Sequence, residues 1–393
     1  MEAVGLGSAT ISVALLLSFI ASLGLGFGLI RFLPDAEINP SRLINSCFLL
    51  TSVTAIAVAL IYLAGLSLFS PSMLFIRESI FLSIAFVIFV LIRAIFNLLT
   101  PVYIARRRAE YSFIQATVMG GLRIAFAISV IGWLGAFGIF AAWGLATTFI
   151  CLVGILLFLP RLVASYRINL AVAPQAIRQI LSFSFANYIS MGMWSMPMWL
   201  LPLMVLNLLG QQANGYFFIG WSIASHLFAI PGSISQSLFS EGANYEQSLA
   251  RDIERSSRLI IMLLIPVVVA MVILADKLLL IFGREYSLEG AQLLRILTIS
   301  ALPTSINLLY LSVARVQKRL TNIIAVSAII AAVTLGLSYM LIPATGLLGA
   351  GIAWLAGNTL AAVLTLPGIF KAIRREKTAP SIPSAYSSGI QDG

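Results

Sequence analysis

Apolar positions along this chain run on instead of alternating with polar ones. They form blocks of about 20 residues or more, each long enough to cross ~30 Å of hydrocarbon as a helix. The blocks fall at roughly 8–30, 43–68, 79–104, 111–132, 135–160, 178–209, 214–240, 257–276, 289–313, 320–342 and 345–370. The reading is an all-α polytopic membrane protein of about eleven transmembrane helices. Ten-residue alternation of the kind a membrane β-barrel needs is weak, and long unbroken apolar runs exclude that fold.

The segment "RLVASYRINLAVAPQAIRQ" is the longest basic connection between blocks and divides five spans from six. It sets the expected organisation: an N-terminal lobe over 1–160, a connector over 161–177, a C-terminal lobe over 178–370, and a polar, disordered cytoplasmic tail over 371–393. Pro197, Pro202, Pro231, Pro266 and Pro303 interrupt spans of the second half. Each removes a backbone hydrogen bond and is expected to kink its helix, as helices that line cavities or move against each other tolerate.

Composition agrees. Hydrophobic residues make up 60% of the chain, and charged ones 10%. The net charge of +10 would suggest nucleic acid in a soluble protein, but here the cations sit between spans. With the tail placed in the cytoplasm, eighteen of the 24 Lys and Arg fall on the cytoplasmic side, and only Arg77, Lys277 and Arg284 fall outside. That bias supports the span count and places the N-terminus outside. The chain is expected in the inner (cytoplasmic) cell membrane, in contact with the bilayer and without nucleic acid. The start has no basic n-region and reads as a span, not a signal peptide. Cys47 and Cys151 fall inside spans and read as small hydrophobes.

Three arginines remain within spans: Arg93, Arg123 and Arg295. Arg295 lies near its outer boundary and is expected to snorkel. Arg93 and Arg123 each stand fifteen residues from Arg108, in the turn that joins their spans, so an antiparallel hairpin sets them at similar depth. A cation at the bilayer centre costs about 2.5–3.5 kcal/mol on insertion scales. No acid is at hand to offset it: all fourteen Asp and Glu fall at span ends, in loops or in tails. Either neighbouring helices supply carbonyls and amides, or the arginines face a water-filled cavity that an anionic ligand visits. The spacing favours a cavity. Arg93, Asn97 and Thr100 make one polar stripe, and Ala116, Gly120 and Ala127 leave room on the face of Arg123.

A second polar stripe, Ser222, His226, Ala229, Ser233, Gln236 and Ser240, runs along the seventh span. It reads equally as cavity lining or as packing through small and hydroxyl residues. His226, the only histidine, reads first as a hydrogen-bonded packing residue. Asn187, Ser190 and Ser195 add polar groups on the sixth span. The expected substrate-binding set is therefore Arg93, Arg123, Asn97, Asn187, Ser222, His226 and Gln236. No phosphate-cradling glycine loop, zinc spacing or nucleophile elbow occurs, so no enzyme, metal or cofactor is expected.

The pattern in "ADKLLLIFGREYSLEGAQLLRILTISALPTSINLLYLSVARVQKRLTN", in "GLGSATISVALLLSFIASLGLGFGLIRFLP" and in "IPATGLLGAGIAWLAGN" resembles polysaccharide-export flippases. These belong to the multidrug/oligosaccharidyl-lipid/polysaccharide exporter superfamily, and the likeness covers nearly all of 5–370. The resemblance implies two pseudo-symmetric lobes that alternate access to a central cationic cavity. It also implies a polyprenyl-diphosphate-linked oligosaccharide as substrate, with a polysaccharide polymerase and glycosyltransferases as partners in surface polysaccharide or lipopolysaccharide synthesis. The family has twelve or more spans, so its first helix is the one expected to be missing. The alternatives are an exporter of anionic small molecules on the same fold, and a non-transporting membrane scaffold.

Overall fold

The computed structural model describes residues 2–34, 39–163, 166–169, 173–244, 249–317 and 319–377, without the side chains of 131–136, 239–244 and 375–377. Regular structure among the described residues is entirely helical. The main helices are α1 (Glu2–Ser22), α2 (Leu25–Phe32), α3 (Pro40–Ala64), α4 (Ile80–Ala105), α5 (Glu110–Val153), α6 (Pro174–Leu209), α7 (Gln211–Asn244), α8 (Leu249–Leu280), α9 (Arg284–Ile299), α10 (Ala301–Val316), α11 (Leu320–Thr345) and α12 (Leu347–Lys377). They supply 11 spans among the described residues, as the apolar blocks require.

One helix holds two of those spans. Gln115 on α5 donates to the Ile150 carbonyl at 3.3 Å, and the Tyr111 ring lies 4.6 Å from that of Phe158. Residues so far apart on a straight helix would be separated by roughly 50 Å. The chain therefore reverses between the spans Glu110–Val130 and Phe137–Leu162.

Three expectations are corrected. The block drawn at 8–30 is not one helix: α1 starts at Glu2 and ends at Ser22, where Leu23 and Gly24 take left-handed φ values of 47° and 73°. A side chain at Gly24 would also strike Tyr188, so glycine is required there twice over. The ending of α1 frees its last carbonyls, and the Tyr188 hydroxyl donates to those of Phe19 and Ile20. Second, Pro303 does not kink a helix interior. It sits in the first turn of α10, just past the break at Ser300, where a missing N–H costs nothing. Third, α12 continues through Lys377, so residues 371–377 are helix instead of tail. The remainder of the expected tail, 378–393, lies outside the described residues, as does the side chain of Ser240.

Apolar side chains gather in clusters that largely follow the chain halves. Leu6 to Phe140 with Leu206 form one cluster, and Leu25 to Tyr166 with Ile180 another. Leu201 to Ala361, and Leu227 to Ala372, form two more. Helix α1 joins the halves. It packs on α3, α4 and α5 of its own half and on α6 and α7 of the other. Small residues permit this: a Cβ at Gly5 would run into the Gln211 carbonyl, and one at Gly28 of α2 into Ile180 of α6.

Candidate functional site

Helix α4 carries Arg93 half-buried among apolar neighbours. Its guanidinium carbon lies 5.0 Å from the centre of the Phe96 ring and 5.9 Å from that of Trp143. Both rings are at least nine-tenths buried. The faces of two aromatic rings thus supply part of what water would give a cation. They leave its hydrogen-bonding capacity unused: the Nε of Arg93 is buried without a partner. Arg123, on the first limb of α5, is in the same condition. Its Nη2 reaches only the Met119 sulfur, at 3.7 Å, and its buried Nε has no partner. The helices that carry the two arginines, α4 and α5, pack on each other. Neither arginine forms an ion pair among the described residues. Gly120, one turn from Arg123, faces open space.

The structure sets Arg93 and Arg123 on helices that pack on each other and turns Asn97 another way. The Asn97 amide donates to Ser18 of α1 at 3.4 Å and ties α4 to the helix that joins the halves. Asn187 on α6 and Ser222, His226 and Gln236 on α7 belong to the other half. Among the described residues no hydrogen bond or ring contact links them to either arginine.

Helix α7 has two distinct ends. Near its start, Asn214 donates to the Gly5 carbonyl at 2.7 Å and to the Ser8 hydroxyl at 3.3 Å, so α7 is clamped to α1. Farther along, His226, Ala229, Ser233 and Gln236 are exposed. His226 is not the packing residue expected. Its Nδ1 meets the Ser222 carbonyl of its own helix at 2.7 Å, and the ring is exposed. Arg295 does not simply snorkel: it pairs with the Asp276 carboxylate and donates to the Val272 carbonyl at 3.2 Å.

Two features escaped the sequence. One is the aromatic seat of Arg93: Trp143 stands fifty residues away in the chain, and nothing in the spacing announces it. The other is a fully buried network in the second half. Asn307 donates to the Asn358 carbonyl at 2.9 Å and accepts from Thr365 at 3.4 Å, while Asn358 donates to the Trp354 carbonyl at 3.0 Å. Asparagine inside an apolar block was the available signal.

No protein-family model matches the sequence, and no curated protein does. Solved structures do match, along nearly the whole chain. A multidrug resistance MATE family transporter of the MOP superfamily in its inward-facing conformation aligns with a TM-score of 0.71 at 15% identity, over 97% of this chain and 95% of that one. The outward-facing conformation of such a transporter gives 0.64 at 16%, over 95% and 88%. A MOP superfamily transporter from Pyrococcus furiosus gives 0.64 at 17%, over 96% and 88%. The fold is that of the MATE transporters.

Proposed function

We propose that this protein is a transporter that moves a polyprenyl-diphosphate-linked oligosaccharide from the cytoplasmic to the outer leaflet by alternating access of its two halves. The observation that carries the reading is the pair Arg93 and Arg123: two guanidinium groups inside spans of helices that pack on each other, each with a buried Nε lacking a partner and neither in an ion pair among the described residues. A diphosphate offers several acceptor oxygens and the opposite charge, and arginine binds such groups through its planar fork. The same site repels a cationic drug.

The clamp at Asn214 and the exposed polar stripe from His226 to Gln236 support the transport cycle. The halves are fastened at the end that the basic-residue bias assigns to the outside, and toward the other end α2 packs on α6. Toward the cytoplasm, α7 presents polar side chains that hydrocarbon would not solvate. The reading takes the inner membrane as its setting, with the N-terminus outside. The Pyrococcus furiosus neighbour is described as having a binding pocket of reverse polarity, suggesting a different function. An acid-free pair of arginines suits a departure of that kind. Glycosyltransferases would supply the substrate and a polysaccharide polymerase would consume the product.

The test is complementation of a flippase-null strain with Arg93→Ala and Arg123→Ala, membrane levels being matched by immunoblot. Loss of surface glycan in both is the expected result. Full export by both overturns the reading.

A further inference from the structure

Where α3 meets α6, the two halves of the chain do not close on each other. A cavity of about 480 Å³ opens there, walled by Leu49 and Val53 on α3 and by Ile177 and Leu181 on α6, with Ser46 and Arg178 at one end. On α3 the lining residues 46, 49, 50 and 53 share one helical face, so the groove runs about 10 Å along the helix, away from its Arg42 end. The polar groups at the mouth are unequal. The Ser46 hydroxyl is engaged, accepting from the Ala173 N–H at 2.8 Å and donating to the Arg42 carbonyl at 2.7 Å. Arg178 is exposed and has no hydrogen-bond or ion-pair partner among the described residues.

We propose that this groove is a binding site for an anionic bilayer phospholipid, with one acyl chain between α3 and α6 and the phosphate at Arg178. The walls are apolar and lie within spans, so hydrocarbon is the medium they meet. The mouth lies on the face that carries the basic excess, where anionic headgroups are attracted and basic pockets between helices hold them. Arg178 stands in the second turn of α6, near the end of its span that the basic-residue bias assigns to the cytoplasm. A zwitterionic lipid would match the walls but carry no net charge to the arginine. The two walls come from different chain halves, so the bound lipid favours the conformation in which α3 and α6 stand this far apart. None of this depends on what the protein transports.

The test is native mass spectrometry of the full chain in detergent, titrated with phosphatidylglycerol or with phosphatidylcholine of the same chains. The wild type should retain phosphatidylglycerol preferentially. Arg178→Gln should weaken that binding about fivefold, the worth of one basic residue near an anionic surface. Val53→Trp fills the groove from an exposed position and leaves the charge in place; it should weaken binding at least as much. Arg255→Gln, which removes an exposed cation from the first turns of α8, should bind as the wild type does. Equal retention of the two lipids, wild-type binding by both groove variants, or an equal loss in Arg255→Gln would each overturn the site.

Discussion

The Asn214 amide donates to the Gly5 carbonyl across 2.7 Å and so fastens the start of α7 to the start of α1. The crossing is close because position 5 has no side chain: a Cβ there would overlap the Gln211 carbonyl and approach the Gly215 nitrogen at 3.1 Å. Backbone cannot move aside as a flexible side chain can. Gly5→Val should therefore part the two helix ends and favour a state open on this face. Spin labels at the exposed positions Glu2 and Leu208 report it: the distance between them should lengthen in Gly5→Val and stay short in the wild type. An unchanged distance distribution would mean that the crossing does not hold the halves.

Arg93 offers a way to separate function from packing. If its two ring contacts are its purpose, removing it costs about 1–2 kcal/mol of stability. If a ligand is its purpose, the unfilled site carries an unrewarded cation, and Arg93→Met relieves a burden at similar volume. We expect Arg93→Met to unfold no more readily in detergent than the wild type, within about 0.5 kcal/mol, while export is lost. Arg93→Lys keeps the charge but not the planar fork, and should export at an intermediate level. A destabilised Arg93→Met with export restored at low temperature would assign the residue to packing.

How much of this was readable in advance depends on the range over which the information acts. Span number was legible because bilayer thickness fixes how long an apolar run must be. The pairing of the helices that carry Arg93 and Arg123 was legible because a tight basic turn between two apolar runs makes an antiparallel hairpin. The break after Ser22 was hidden. Gly24, Gly26 and Gly28 are all compatible with a helix on hydropathy, and only the packing of Tyr188 against Gly24 selects which one bends. Trp143 was hidden for the same reason, since its approach to Arg93 is a product of tertiary packing. His226 was misjudged because polarity alone does not distinguish a residue that faces a neighbouring helix from one left exposed.

The connector is strapped to α3 by a small network. The Asn45 amide donates to the Arg167 carbonyl at 2.7 Å, and the Tyr166 hydroxyl donates to the Asn45 side-chain oxygen at 2.9 Å. Asn45→Ala removes both bonds and leaves a buried hydroxyl unpaired, a loss of about 1–3 kcal/mol. Tryptic cleavage after Arg161 or Arg167 should accelerate, by tenfold or more at 1.4 kcal/mol and above. Burial pushes the Tyr166 phenol up to about 12. A phenol raised above its unfolded value contributes stability that is whole below pH 10 and is lost as pH climbs towards 12. Protection of the connector should accordingly be flat from pH 6 to 9. A fall within that range would contradict the buried, protonated tyrosine.

The network of Asn307, Asn358 and Thr365 sets a test of coupling inside the second half. Asn307 is fully buried, gives its amide to the Asn358 carbonyl at 2.9 Å and takes the Thr365 hydroxyl at 3.4 Å. Replacing it by alanine deprives Asn358 and Thr365 of partners in a site that water does not fill readily, which costs about 1–3 kcal/mol. Asn358→Ala carries a similar loss and also frees the Trp354 carbonyl from its side-chain donor. The contact of the Asn307 amide with the Asn358 side-chain oxygen, 3.3 Å, is broken by either single change and so is counted twice in their sum. The cost of the double variant should fall short of the sum of the single costs by about 0.5–1.5 kcal/mol. Chemical unfolding in detergent, followed by tryptophan fluorescence, closes the cycle, because Trp354 reports from within the cluster. Strict additivity would show that the two amides act separately, each on its own helix, and that the network does not join α10 to α12.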